Sequence, residues 1–84
     1  MNFVGIDVAK DSMEVMVHES SKRWNFMNNE SGLSKLVAKM KKLSPCLIVL
    51  EATGGYESMV ATGLQCKGFC VAVINPRQIR DFAR

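Results

Sequence analysis

Leu47-Ile48-Val49-Leu50 is an aliphatic run without a polar break, closed on one side by Ser44-Pro45 and on the other by Glu51. A half-buried strand alternates apolar and polar residues. An unbroken run of this length therefore predicts a strand covered on both faces, as in a parallel sheet carrying crossover helices. The rest of the chain has to satisfy that requirement, with a helix before the run, a helix after it and a parallel neighbour beside it.

The segments on either side have the right periodicities. Asn2 to Val8 alternates, with Val4, Ile6 and Val8 on one face and Phe3, Gly5 and Asp7 on the other. Met13 to His18 and Arg23 to Met27 are two further short strands, the second carrying Trp24 and Phe26 on one face. The polar stretches Ala9 to Ser12 and Glu19 to Lys22 separate them, which gives an antiparallel meander. After Asn28 the period changes. Leu33, Leu36, Val37, Met40 and Leu43 lie on one helical stripe, with Ser31 as the expected N-cap and Ser44-Pro45 as the stop. Thr53-Gly54-Gly55 is expected to open a second helix running to about Lys67, with Gly68 just past its end. Phe69 to Ile74 is another continuous apolar strand, ended by Asn75-Pro76. A meander followed by two right-handed crossovers predicts one mixed α/β sheet of five strands in the order 3-2-1-4-5. The first and fourth strands are then parallel neighbours at its centre.

Composition narrows the function classes. With 84 residues the chain has room for one domain, and 48% hydrophobic content is too high for a disordered one. No apolar run approaches the ~20 residues that span a bilayer, and Met1 to Val8 lacks a basic n-region. Eleven basic against eight acidic residues give a net charge of +3, compatible with nucleic acid without requiring it. Cys46, Cys66 and Cys70 form no CxxC pair, and with the lone His18 they do not make a zinc set. A single cytoplasmic domain is the expectation.

Two acidic residues are oddly placed. Asp7 lies inside the first apolar strand, and Glu51 follows four aliphatic residues directly. If the two strands are parallel neighbours, both carboxylates emerge at the same carboxyl edge of the sheet and repel. A divalent cation between them, or a shared proton, relieves that repulsion, and oxygen donors suit a hard ion such as Mg²⁺ or Mn²⁺. Glu51 taken alone fits a solvated strand end equally well. Gly54 and Gly55 allow a phosphate backbone to approach, or simply make a tight turn. Lys10 stands near the same edge, and Arg77, Arg80 and Arg84 share one face if their segment is helical, where they can contact phosphates or face solvent. The helix lysines Lys35, Lys39, Lys41 and Lys42 read as a wet face, and Trp24, Phe26 and the six methionines as core.

Three blocks carry a family resemblance: Val4 to Lys10, Glu51 to Glu57 and Val73 to Ala83. Together they resemble the N-terminal part of the DEDD transposases, the insertion-sequence group related to the Piv and MooV recombinases. The resemblance implies a ribonuclease H-like domain similar to the RuvC resolvase. It makes Asp7 and Glu51 the first two acidic residues of a tetrad that holds divalent metal for DNA strand cleavage and transfer. It also implies DNA as substrate, a guide-like RNA in relatives, and a further serine-bearing domain. Asp81 falls too early to replace either remaining aspartate, so the chain is expected to be an inactive N-terminal fragment with weak metal binding. An uncovered apolar sheet face is expected to drive homo-oligomer formation. Two rival readings stand beside this one. The first is a ribonuclease H-like ATPase of the actin and sugar-kinase kind, which needs a second Gly-rich phosphate loop absent here. The second is a non-catalytic assembly module.

Overall fold

In a computed structural model, which describes residues 1–52 and 54–74, the chain forms one five-stranded sheet in the order β3-β2-β1-β4-β5. The strands are β1 (Asn2–Val8), β2 (Ser12–Val17), β3 (Arg23–Met27), β4 (Cys46–Ala52) and β5 (Cys70–Ile74). Helix α1 (Glu30–Leu43) lies between β3 and β4, and α2 (Ser58–Cys66) between β4 and β5. β1 pairs antiparallel with β2 and β2 with β3, whereas β1–β4 and β4–β5 are parallel. The predicted order and strand directions are therefore those observed, and they agree with a ribonuclease H-like fold.

Both helices pack on one face of the sheet. Val4, Ile6 and Val8 of β1 and Ile48 and Leu50 of β4 are buried against Leu36 and Met40 of α1 and Val60 and Leu64 of α2. Trp24 and Phe26 of β3 flank this core only half buried, and Lys39 lays its ammonium 4.7 Å from the Trp24 ring centre. That lysine thus leaves the expected wet face for a cation–π contact.

Several local expectations need correction. The N-cap of α1 is Asn29, not Ser31: its extended backbone lets Oδ1 accept from the Gly32 N–H at 2.8 Å. Asn caps as well as Ser does, and the apolar stripe begins too late to choose between them. Helix α2 starts at Ser58, not at Thr53-Gly54-Gly55, because Gly55 takes a left-handed φ of +79° that no helix continues. At the other end, Gly68 occupies the expected position after the helix with φ +87°. Among the described residues, β4 is covered on one face only: Ile48 and Leu50 are buried, while Leu47 and Val49 are half exposed on the opposite side. β5 is an edge strand, with Cys70, Ala72 and Val73 exposed. Among the methionines, Met13 and Met40 are core, but Met1, Met16 and Met27 are exposed. All three cysteines are free, and only Cys46 is buried.

Candidate functional site

The face of the sheet that neither described helix covers has two chemically different ends. Toward the amino edge of β1 it is apolar, with Phe3, Gly5, Met16, His18 and Val49 around an open groove of about 700 Å³. His18 is exposed there, its ring set edge-on to Phe3 at 6.3 Å between centroids. Toward the carboxyl edge the face turns acidic.

Strand register builds that acidic end. Asp7 is the parallel partner of Glu51 across β1–β4, and the antiparallel partner of Glu14 across β1–β2. Glu51, Asp7 and Glu14 therefore stand in a row across three strands spaced about 4.8 Å apart. They line one small cavity of about 130 Å³ with Gly5, Ile6 and Met16. All three are exposed. The tension in this row is thus repulsion between like charges that all remain in contact with solvent. Arg23 on β3 approaches Glu14 at 3.5 Å and offsets part of that repulsion.

The strand alternation places these side chains. Asp7 and Glu51 each take an outward position one residue before the last ladder pair, Val8 with Ala52, so both sit where the strands are about to part. Glu14 was not singled out from sequence. Its alternation with Met13 and Val15 shows that it faces outward, but only the hairpin register puts it beside Asp7.

As a donor set, the Asp7–Glu51 pair suits a small hard cation. Mg²⁺ characteristically keeps several waters and takes one or two carboxylates together with substrate phosphates. Among the described residues, no group of three His, Cys, Asp or Glu converges to hold a metal ion. The pair therefore fits a site completed by water and phosphate, and not a closed protein cage.

Other expected contacts are spread around the same edge. Lys10 lies in the β1–β2 turn, and Gly54 and Gly55 in the loop between β4 and α2. Those glycine amides do not belong to a helix N-terminus. Glu57 occupies the N-cap of α2, with one carboxylate oxygen buried and unpartnered, which is the wrong charge for anion binding at that helix end. Gly54 admits the Tyr56 ring, whose Cε2 would stand 2.7 Å from a Cβ at that position. Thr53, Arg77, Arg80 and Arg84 lie outside the described residues, as does the Asn75-Pro76 strand end.

A mixed sheet in this order, with an acidic residue on each of its two central parallel strands, is the core of a ribonuclease H-like protein. The comparisons with known proteins assign the family. The model of the DEDD insertion-sequence family, described as a transposase, matches residues 4–84, and the chain belongs to that family. It is also similar to the pilin gene-inverting proteins of Moraxella lacunata and Moraxella bovis, each 27% identical over 88 residues and 98% of this chain. The chain spans 27% of the length of those relatives. No described helix is long and apolar enough to cross a membrane.

Proposed function

We propose that this chain supplies the first half of a metal-dependent DNA strand-cleaving and strand-joining site, within a domain similar to the RuvC resolvase. The observation that carries the reading is the register pairing of Asp7 with Glu51 on the exposed carboxyl edge of the central strands. Their carboxylates would hold Mg²⁺ or Mn²⁺. When bound, such an ion activates an attacking oxygen and stabilises the leaving oxygen of a phosphodiester. Asp7 and Glu51 fix where the reacting phosphate rests. Lys10, Gly54 and Gly55 would meet the nucleic-acid backbone near the same edge, and Thr53, Arg77, Arg80 and Arg84, outside the described residues, are proposed as further sequence-independent phosphate contacts. A guide-like RNA is a further proposed partner.

Two carboxylates alone would bind the ion weakly, and among the described residues no third ligand completes a group of three with them. The test is a Mn²⁺ titration followed by broadening of amide signals. Broadening centred on residues 7 and 51, lost in Asp7→Asn, supports the reading. Broadening centred elsewhere overturns it.

The uncovered apolar end of the sheet favours self-association as well. Phe3 is 49% and Met16 43% exposed beside the groove, and a dimer that buries them removes apolar surface from water. Sedimentation should show an oligomer that Phe3→Ser dissociates. A monomer at high concentration would count against it.

A further inference from the structure

The β1–β4 ladder ends at Val8 with Ala52, one residue beyond Asp7 and Glu51. Among the described residues, no ladder pair joins the two strands past that point. One leaves into the β1–β2 turn and the other into the loop before α2. Fraying at such an end would change the spacing of the two carboxylates directly.

A single side chain closes this gap. Asn28, between β3 and α1, directs Nδ2 at the carbonyl of Ala9 at 2.9 Å, of Tyr56 at 3.2 Å and of Lys10 at 3.4 Å. The first and third belong to the turn that follows Asp7, the second to the loop that follows Glu51. Three carbonyl oxygens accept only from the amide NH₂, so the environment fixes which way the Asn28 amide points. Its backbone N–H donates to the Asp11 carbonyl at 3.0 Å, adding another bond to the same turn. Among the described residues, no other side-chain hydrogen bond joins these two loops.

The clasp sits in a tightly packed connection. Asn29 caps α1, and Gly32 lies so close to the Met27 carbonyl that a Cβ there would collide with its oxygen. The residues flanking Asn28 are thus tied closely into the β3–α1 connection.

We infer that Asn28 is a positioning residue for the Asp7–Glu51 site, holding the two strand exits at the separation a shared cation needs. This rests on the metal-binding reading above, but it also makes a structural claim that stands without metal. An Asp at this position would present oxygens to three carbonyls, and a Ser would keep one donor of two.

The test compares the wild-type chain with Asn28→Ala, Asn28→Ser and Asn2→Ala. Asn2 provides a matched control, because its Nδ2 donates to the Leu43 carbonyl at 2.8 Å at the opposite edge of the sheet. Mn²⁺ affinity is read from the loss of the free-ion electron paramagnetic resonance signal, and amide exchange is read without metal. The expected result is about a fivefold or greater weakening of Mn²⁺ binding in Asn28→Ala, a smaller one in Asn28→Ser, and less than about twofold in Asn2→Ala. Exchange at Val8 and Ala52 should accelerate only in the Asn28 variants. Unchanged Mn²⁺ affinity in folded Asn28 variants overturns the proposal. If the wild type binds no Mn²⁺ at residues 7 and 51, the functional reading fails separately, and unchanged exchange in Asn28→Ala then refutes the clasp as well. If both variants fail to fold, the wild-type Asn28 side-chain amide decides: it should shift on Mg²⁺ addition together with Asp7 and Glu51, and a silent amide overturns the role.

Discussion

Asp7 and Glu51 are register partners in the parallel pair of β1 and β4, both exposed on the face that neither described helix covers. Like charges directly opposite each other in a sheet destabilise it by some tenths of a kcal/mol. Asp7 has the worse position, since Glu14 faces it from the other side. Asp7→Asn is therefore expected to raise the melting temperature without metal, and by more than Glu51→Gln does. Both variants should lose any stabilisation by Mg²⁺. Thermal melts with and without Mg²⁺ check this, and a lower melting temperature for Asp7→Asn would contradict the repulsion.

The two faces of β4 should respond very differently. Leu50 is fully buried beneath the helices, and Leu50→Ala is expected to cost about 2–5 kcal/mol. A domain of this size is stable by only on the order of 5 kcal/mol, so the variant should be largely unfolded in a urea titration. Its chain neighbour Val49 is half exposed on the open side, and Val49→Thr should stay within about 1 kcal/mol of wild type. Equal losses at both positions would mean that the open face is covered in solution.

That contrast marks where the sequence could be read and where it could not. A period of two marked the first three strands and a 3.6 stripe marked α1. Unbroken apolar runs marked β4 and β5, flanking glycines marked α2, and the strand order followed from short turns and right-handed crossovers. The same periods could not show that Leu47 and Val49 lack a cover, since an unbroken apolar run looks alike whether both faces are packed or one awaits a partner. The pairing of Asp7 with Glu51 was legible because parallel neighbours ending together bring their last residues side by side. Glu14 and Asn28 were not. One depends on hairpin register and the other on a side chain reaching two separate loops, and neither leaves a periodic signal.

Two glycines in the helices should separate propensity from packing. Ala is favoured over Gly inside a helix by about 1 kcal/mol. At Gly32 the added Cβ meets the Met27 backbone carbonyl, which cannot move without shifting the end of β3. Gly32→Ala is expected to be destabilising by at least about 2 kcal/mol in spite of the propensity gain. At Gly63 the Cβ meets only the Leu33 side-chain tip, 2.5 Å from its Cδ2, and a rotamer change can relieve that. Gly63→Ala should be near neutral. Chemical denaturation of both variants tests the difference.

Burial pushes the Cys46 thiol above its usual value of 9.0. Raising the folded-state pKa of a thiol favours the protonated form in the native state. Its stabilising contribution is therefore complete below the unfolded pKa, and is lost as pH rises from about 9 through the folded value. Cys66 and Cys70 are exposed. At neutral pH a thiol reagent should modify those two in the native protein and reach Cys46 only on unfolding, as counted by intact mass. Rapid native labelling of all three would contradict the packing of Cys46 against α1.

Arg23 offers the last prediction. Its contact with Glu14 is 3.5 Å long with both side chains well exposed, so removing it should hardly change stability. Its charge nevertheless lies two strands from Asp7, roughly 10 Å away by strand spacing. A unit charge at that distance in a watery environment changes the energy of a divalent ion enough for about a two- to fourfold effect on affinity at low salt. Arg23→Gln is thus expected to tighten Mn²⁺ binding to that extent in dilute buffer. The gain should fade at high ionic strength, where the screening length falls to about 3 Å in 1 M salt. An effect that survives high salt would mean that Arg23 shapes the site through contact and not through its field, and weaker binding in the variant would mean that the acidic row is not where the ion sits.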